Sequence, residues 1–253
     1  MRMLSYVGLS AMMALWMTAP AMSAEGATVK GTVVWAGGDV PKQAPLNVNK
    51  DQQACLAKGP ILNEEVVVNP SDKGVANVFV WITTSAGGKP PVPAALAKPA
   101  KPSVELDQPT CAFEPHALAM QEGQKLVVKN SAPVAHNVNW TGSPAKNPGG
   151  NVIVPPGKEH IVPNLKADKR PVSVSCNIHG WMKANIRVFD SPYYAVTDKD
   201  GKFEIKNAPT GSYKIWYWSD TGWKDGAAGA NGFPITIKAG ENDLGNVEWK
   251  PAK

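Results

Sequence analysis

Cys176, His179 and Met182 stand three residues apart on one short segment, Cys176-Asn177-Ile178-His179-Gly180-Trp181-Met182, and a lone His136 precedes them. A thiolate, two imidazoles and a thioether form the ligand set of a mononuclear blue-copper (type 1) site. Such a site has a trigonal His₂Cys plane and a weak, long axial Met. Cys176 is the candidate equatorial thiolate, since a coordinating thiol is deprotonated outright by the metal. His136 and His179 are the candidate imidazoles and Met182 the candidate axial ligand. The plainer alternatives are a buried inert cysteine and a methionine that fills core. A cysteine with two histidines would also suit zinc; the methionine weighs toward copper.

The chain holds three cysteines, and an odd count in an oxidising compartment leaves a thiol to explain. Cys55 and Cys111 lie outside the ligand segment and are expected to pair, leaving Cys176 unoxidised; sequence does not fix the geometry. His116, beside Pro115, is expected to pack near the start of a strand, with a second metal site as its alternative. His160, in a Lys-Glu-His stretch, is expected to be structural. Trp181 stands between two ligands and could cap the site or offer an apolar docking face, and Trp140 could share that role or pack in the core. Trp216, Tyr217, Trp218 and Trp223 could form a platform for carbohydrate or protein docking. Alternation along a strand puts only every second ring on one side, so core packing accounts for at least half of them.

Other chemistry is not signalled. There is no Cys-x-x-Cys-His for covalent haem, no phosphate loop, nucleophile elbow or zincin motif. Asn139-Trp140-Thr141 matches a glycosylation acceptor, a three-residue pattern frequent by chance. Asp198-x-Asp200-Gly201 lacks the remaining ligands of a calcium loop and is expected to be a hairpin turn. No general acid and base converge on the ligand segment, so the expectation is a carrier and not an enzyme.

The elements that must position these residues are expected to be strands. Gly and Pro number 23 each, and no long stretch carries apolar residues at helical spacing, which predicts an all-β chain. Strands are expected at Val29–Trp35, Glu65–Val68, Asn77–Thr83, Lys125–Lys129, Asn137–Trp140, Val172–Cys176 and Ala184–Phe189. Three more are expected at Lys202–Ile205, Tyr213–Trp218 and Pro234–Ile237. Lys89–Ser103 is Pro- and Ala-rich and predicts a linker, with at most a short helix in Ala94–Ala97. The net charge of +5 comes from scattered lysines without interleaved aromatics. That argues against nucleic acid and fits docking to an acidic partner. Residues 1–24 read as a signal peptide: Arg2, an apolar Val7–Trp16, then Ala19-Pro20-Ala21 and Ala24. The apolar run is short for a membrane span, so the mature protein is expected to be exported, periplasmic or extracellular, and not membrane-spanning.

Between about Val104 and Phe189 the sequence resembles a cupredoxin. Phe113-Glu114-Pro115, then Glu122 to Asn130, then His136-Asn137-Val138 resemble the family's central strands and first histidine. Pro155-Pro156-Gly157-Lys158 resembles the turn that leads toward the ligand loop. Val174 to Met182 and Ile186-Arg187-Val188 resemble the ligand loop and closing strand, with the short spacing of amicyanin-like members. The resemblance covers roughly a third of the chain, the size of one small sandwich domain. It implies that Asn137 ties the two ligand loops together. The flanks resemble a carboxypeptidase-regulatory-like (transthyretin-like) β-sandwich, on Val29–Val34, Val75–Trp81, Thr197–Ile205 and Pro209–Tyr213. The expected organisation is a signal peptide at 1–24, a first half-sandwich at 25–88, a linker at 89–103, the cupredoxin at 104–190 and a second half-sandwich at 191–253. The cupredoxin is then an insertion; two consecutive domains are the rival arrangement. The implied function is an exported type 1 copper protein, holding one copper ion and carrying single electrons between redox partner proteins. The alternatives are copper storage or delivery, and a binding or scaffold module with a structural cupredoxin.

Overall fold

The computed structural model describes residues 26–250 apart from Pro163, so the expected signal peptide at 1–24 lies outside the described residues. The architecture is all-β. Strands β1 (Ala27–Trp35) and β2 (Phe79–Thr84) come first. The middle of the chain supplies β3 (Ser103–Leu106), β4 (Ala117–Gln121), β5 (Lys125–Lys129), β6 (His136–Thr141), β7 (Gly150–Val154), β8 (Glu159–Val162), β9 (Val172–Ser175) and β10 (Lys183–Phe189). The last third supplies β11 (Tyr194–Val196), β12 (Lys202–Ala208), β13 (Gly211–Ser219), β14 (Gly222–Trp223), β15 (Phe233–Ile237) and β16 (Glu241–Trp249). Among the described residues helix is confined to short pieces, Gln52–Cys55 and the 3₁₀ segments Ala94–Leu96 and Gly226–Asn231.

Two sheets form the middle region, in strand orders β4-β10-β9-β6-β7 and β3-β5-β8. They enclose a core that includes Leu106, Phe113, Met120, Leu126, Val138, Val174 and Ile186. The flanks form two others, β12-β1-β16 and β11-β2-β13-β14, with β15 added to β13. Strand β1 pairs with β12 and β16, and β2 with β11 and β13, so the first and last parts of the chain hydrogen-bond to each other. Their shared core contains Val29, Val33, Val80, Ile82, Phe203, Ile215 and Trp249.

The period-two alternation of a strand explains how these two sheet pairs meet. On β2, Val80 and Ile82 enter the flanking core, while Phe79 and Trp81 point the other way. There they join Ala117, Phe189 and Trp216 in a third apolar cluster, at a seam between the two regions. A strand covered on both faces reads as a near-continuous apolar run, as Phe79-Val80-Trp81-Ile82 does. On β10, Ala184, Ile186 and Val188 face the middle core, leaving Asn185, Arg187 and Phe189 for the seam.

Cys55 and Cys111 are disulfide-bonded across a sequence separation of 56 residues. Closing a loop of that length restricts the unfolded chain by about 4 kcal/mol in the chain-entropy account. Asp198 Oδ1 accepts the backbone N–H groups of Asp200 and Lys202 and shapes the turn into β12. Gly201 is obligatory there: its φ is +74°, and a Cβ would stand 2.3 Å from the Val33 carbonyl oxygen.

The expected strand at Glu65–Val68 is corrected to an isolated bridge between Val68 and Val75. Asn63 Oδ1 takes the Glu65 N–H and Asn69 Oδ1 takes the Ser71 N–H, turns that compete with a ladder. Strand β3 begins at Ser103, the last residue of the expected linker, and runs parallel to β5.

Candidate metal centre

The ligand candidates sit where strands of the larger middle sheet end. His136 opens β6, Cys176 follows the last residue of β9, and Met182 immediately precedes β10. The loop between β9 and β10 closes on itself: the Met182 N–H donates to His179 O at 2.9 Å and the Cys176 N–H to Met182 O at 3.3 Å. All four side chains are buried, His136 and His179 with no exposure at all.

Three donor atoms converge. Cys176 Sγ lies 4.0 Å from His136 Nδ1 and 4.0 Å from His179 Nδ1, and the two Nδ1 atoms are 2.9 Å apart. The point equidistant from all three falls inside this triangle, about 2.1 Å from each atom, the length of a metal–imidazole bond and close to a metal–thiolate one. Cys176 is the free cysteine among the described residues. Burial, reinforced by the neighbouring His179 charge, pulls His136 down to about 4, so its imidazole stays neutral with a lone pair to offer. Its Nε2 is buried without a partner among the described residues. The residues present fit a soft transition-metal cation; Met182 adds a thioether on the same loop.

Asn137 fixes the arrangement. Its Oδ1 accepts the backbone N–H groups of Asn177 at 2.7 Å and Ile178 at 3.1 Å, bracing the β9–β10 loop against β6. Its own N–H points at Cys176 Sγ at 3.5 Å, a contact that would tune a bound thiolate. Asn139 and Asn137 also reach Asn177 Oδ1, at 3.0 and 3.3 Å.

Sequence reasoning missed Asp51. Its Oδ2 lies 2.8 Å from His179 Nε2, the nitrogen turned away from the other donors. Asp51 begins the Gln52–Cys55 turn, and the sulfurs of Cys55 and Cys111 lie within 4.8 Å of a His179 ring nitrogen. Trp181 donates its Nε1–H to Cys111 O at 3.0 Å, with its ring 5.0 Å from that of His179. The disulfide-anchored turn therefore covers the imidazole. A carboxylate on the outer nitrogen fixes a ligating histidine's tautomer and raises its basicity.

No protein-family model and no curated protein matches this chain. Several solved structures are similar to it in part. A Cu(I) form of an amicyanin mutant is 12% identical over 45% of this chain and 99% of that one, with a TM-score of 0.32. An oxidised amicyanin mutant is 17% identical over 44% and 98%, at 0.31. A purple cupredoxin from Nitrosopumilus maritimus is 14% identical over 34% and 100%, at 0.30. Likeness at this level leaves the architecture resting on its own strand pairings.

The remaining candidates lie elsewhere. His116 precedes β4 at the seam, its Nε2 2.8 Å from Asp220 Oδ2 and its Nδ1 3.8 Å from Glu64. Burial lowers its affinity for a proton, but the Asp220 hydrogen bond and the charges of Asp220 and Glu64 outweigh it, so His116 is raised. Asn185 Nδ2 holds the other Asp220 oxygen at 2.6 Å. His160 lies on β8 and stacks on Trp140, 6.2 Å between centroids. Trp216 and Tyr217 are buried, whereas Trp218 and Trp223 are half-buried at the seam. Among the described residues, no helix is long and apolar enough to cross a membrane.

Proposed function

We propose that this chain is an exported type 1 copper protein that carries single electrons, with a cupredoxin-type sandwich at 104–190 inserted in a carboxypeptidase-regulatory-like scaffold. The observation that carries this reading is the convergence of Cys176 Sγ and two Nδ1 atoms, 4.0, 4.0 and 2.9 Å apart, in a buried site whose thiol the disulfide leaves free. Copper, when bound, supplies the one-electron Cu(II)/Cu(I) couple. The chain supplies a fixed setting. Asn137 braces both ligand segments, and all four side chains are buried, which would hold the donors in place as a bound metal changed charge. Met182, on the same loop as Cys176 and His179, would add a thioether to the donor set.

The His179–Asp51 hydrogen bond is the proposed route for electrons, because it links a buried imidazole to a side chain that is 37% exposed. A redox partner would dock over Asp51. Storage or delivery of copper calls for ligands that open to a receiving protein, and complete burial of both imidazoles weighs against it.

Visible and EPR spectra of the Cu(II)-loaded protein, beside Cys176→Ser, test the proposal. An intense thiolate band and narrow copper hyperfine splitting, both lost in the variant, are expected. A colourless protein with ordinary copper EPR would contradict it.

A further inference from the structure

Arg187 poses a problem that the metal centre does not solve. Alternation on β10 turns it out of the middle core, and the flanking sheets cover it there. Its guanidinium stacks 3.7 Å from the centroid of Trp81, with Trp223 at 5.9 Å. The residue is 3% exposed, yet its one protein hydrogen bond among the described residues runs from Nη1 to Lys169 O at 3.0 Å. Nε is buried and unpartnered. The facing carboxylate, Asp168, is engaged by Ser143 and does not offset the burial, which pulls Arg187 down to about 9. It still carries its charge at neutral pH. Stacking on tryptophan compensates only part of the desolvation of a buried cation.

Beside the guanidinium is a cavity of about 240 Å³, lined by Arg187, Lys146, Lys169, Trp81, Trp216 and Trp223. Asp168 and Asp190 also border it, so the wall has three cations against two carboxylates, one of them committed to Ser143. Gly87 and Gly88, which carry no side chains, also line it. An arginine fork matches a planar carboxylate, and tryptophan faces accept a ring.

We propose that this cavity binds a small ring-bearing carboxylate, its carboxylate on the Arg187 fork and its ring against the half-buried Trp223. The site is separate from the copper ligands, so metal-free protein serves for the test. Benzoate and glucuronate represent the two sources of this chemistry, an aromatic acid and a sugar acid. Each is titrated by calorimetry and tryptophan fluorescence, with chloride at matched ionic strength as the control. Saturable binding of either acid is expected, at least tenfold weaker in Arg187→Met, a replacement that keeps the stem and removes the charge. Trp223→Ala should weaken it as well, which keeps the test valid if Arg187→Met does not fold. Binding of one acid alone assigns the source; binding of both assigns the shared carboxylate and ring. No saturable binding of either acid, or undiminished binding in the folded variants, overturns the proposal.

Discussion

Two buried histidine clusters in this molecule face opposite ways chemically. His116 lies against Asp220 and Glu64, and those carboxylates raise it toward the protonated form. His136 lies against a second imidazole and a thiol, and is pulled down to about 4. One cluster satisfies its anions with a proton; the other aims two Nδ1 atoms and a sulfur at a common point. Burial of a histidine therefore does not mark a metal site. What marks one is donor atoms aimed at a common point, with carboxylates only behind them, as Asp51 stands behind His179. A cavity of about 470 Å³ lined by His116, Asp220, Trp181 and Met182 lies beside both clusters, yet they divide the chemistry between them.

The sharpest way to break this contrast is to remove one histidine from each cluster. His136→Ala should abolish thiolate-to-copper absorption. His116→Ala should leave that absorption intact and destabilise the protein by about 3 kcal/mol, because it strands a largely buried Asp220. Absorption spectra and denaturant titrations of both variants check the two halves. Loss of the copper band in His116→Ala would dissolve the distinction.

A smaller effect is expected behind His179. Asp51→Ala should weaken Cu(II) binding about ten- to hundredfold in chelator competition. Asp51→Asn keeps an acceptor for Nε2–H and should recover part of that loss, while raising the reduction potential by removing a negative charge. Equal behaviour of both variants and the parent would show that the carboxylate only packs.

The smallest effect is in pH. His116 is raised in the folded state above its ordinary 6.5, so the folded protein binds more protons there than the unfolded chain. Stability from the pair is full below 6.5 and is lost as pH rises through the folded-state value. Thermal melts of metal-free protein should fall with rising pH across that window, and His116→Gln should flatten the slope.

The ligand loop was legible because its three donors are local in sequence, and the disulfide because parity and the loop left Cys55 and Cys111 for each other. Alternation exposed most central strands. It failed at β16, where Glu241, Asn242 and Asp243 open a strand whose partner, β1, lies at the other end of the chain. Strand β4 escaped because Ala117-Leu118-Ala119-Met120 is apolar toward both cores and shows no period. Asp51 carried no signal at all: it is a lone loop carboxylate, 128 residues from its histidine. Nothing marked Arg187 as buried, since alternation along a strand cannot say that another sheet covers its outer face. The flanks were expected to form one sandwich from their resemblance alone; the register of β1 on β12 and of β2 on β13 is long-range and left no mark in the sequence.

The most direct test of the account is copper-edge X-ray absorption on protein loaded with one equivalent of Cu(II). One short sulfur scatterer with two imidazole nitrogens is expected, the sulfur disappearing in Cys176→Ser. A shell of nitrogen and oxygen alone, unchanged in that variant, would place the metal elsewhere and contradict it.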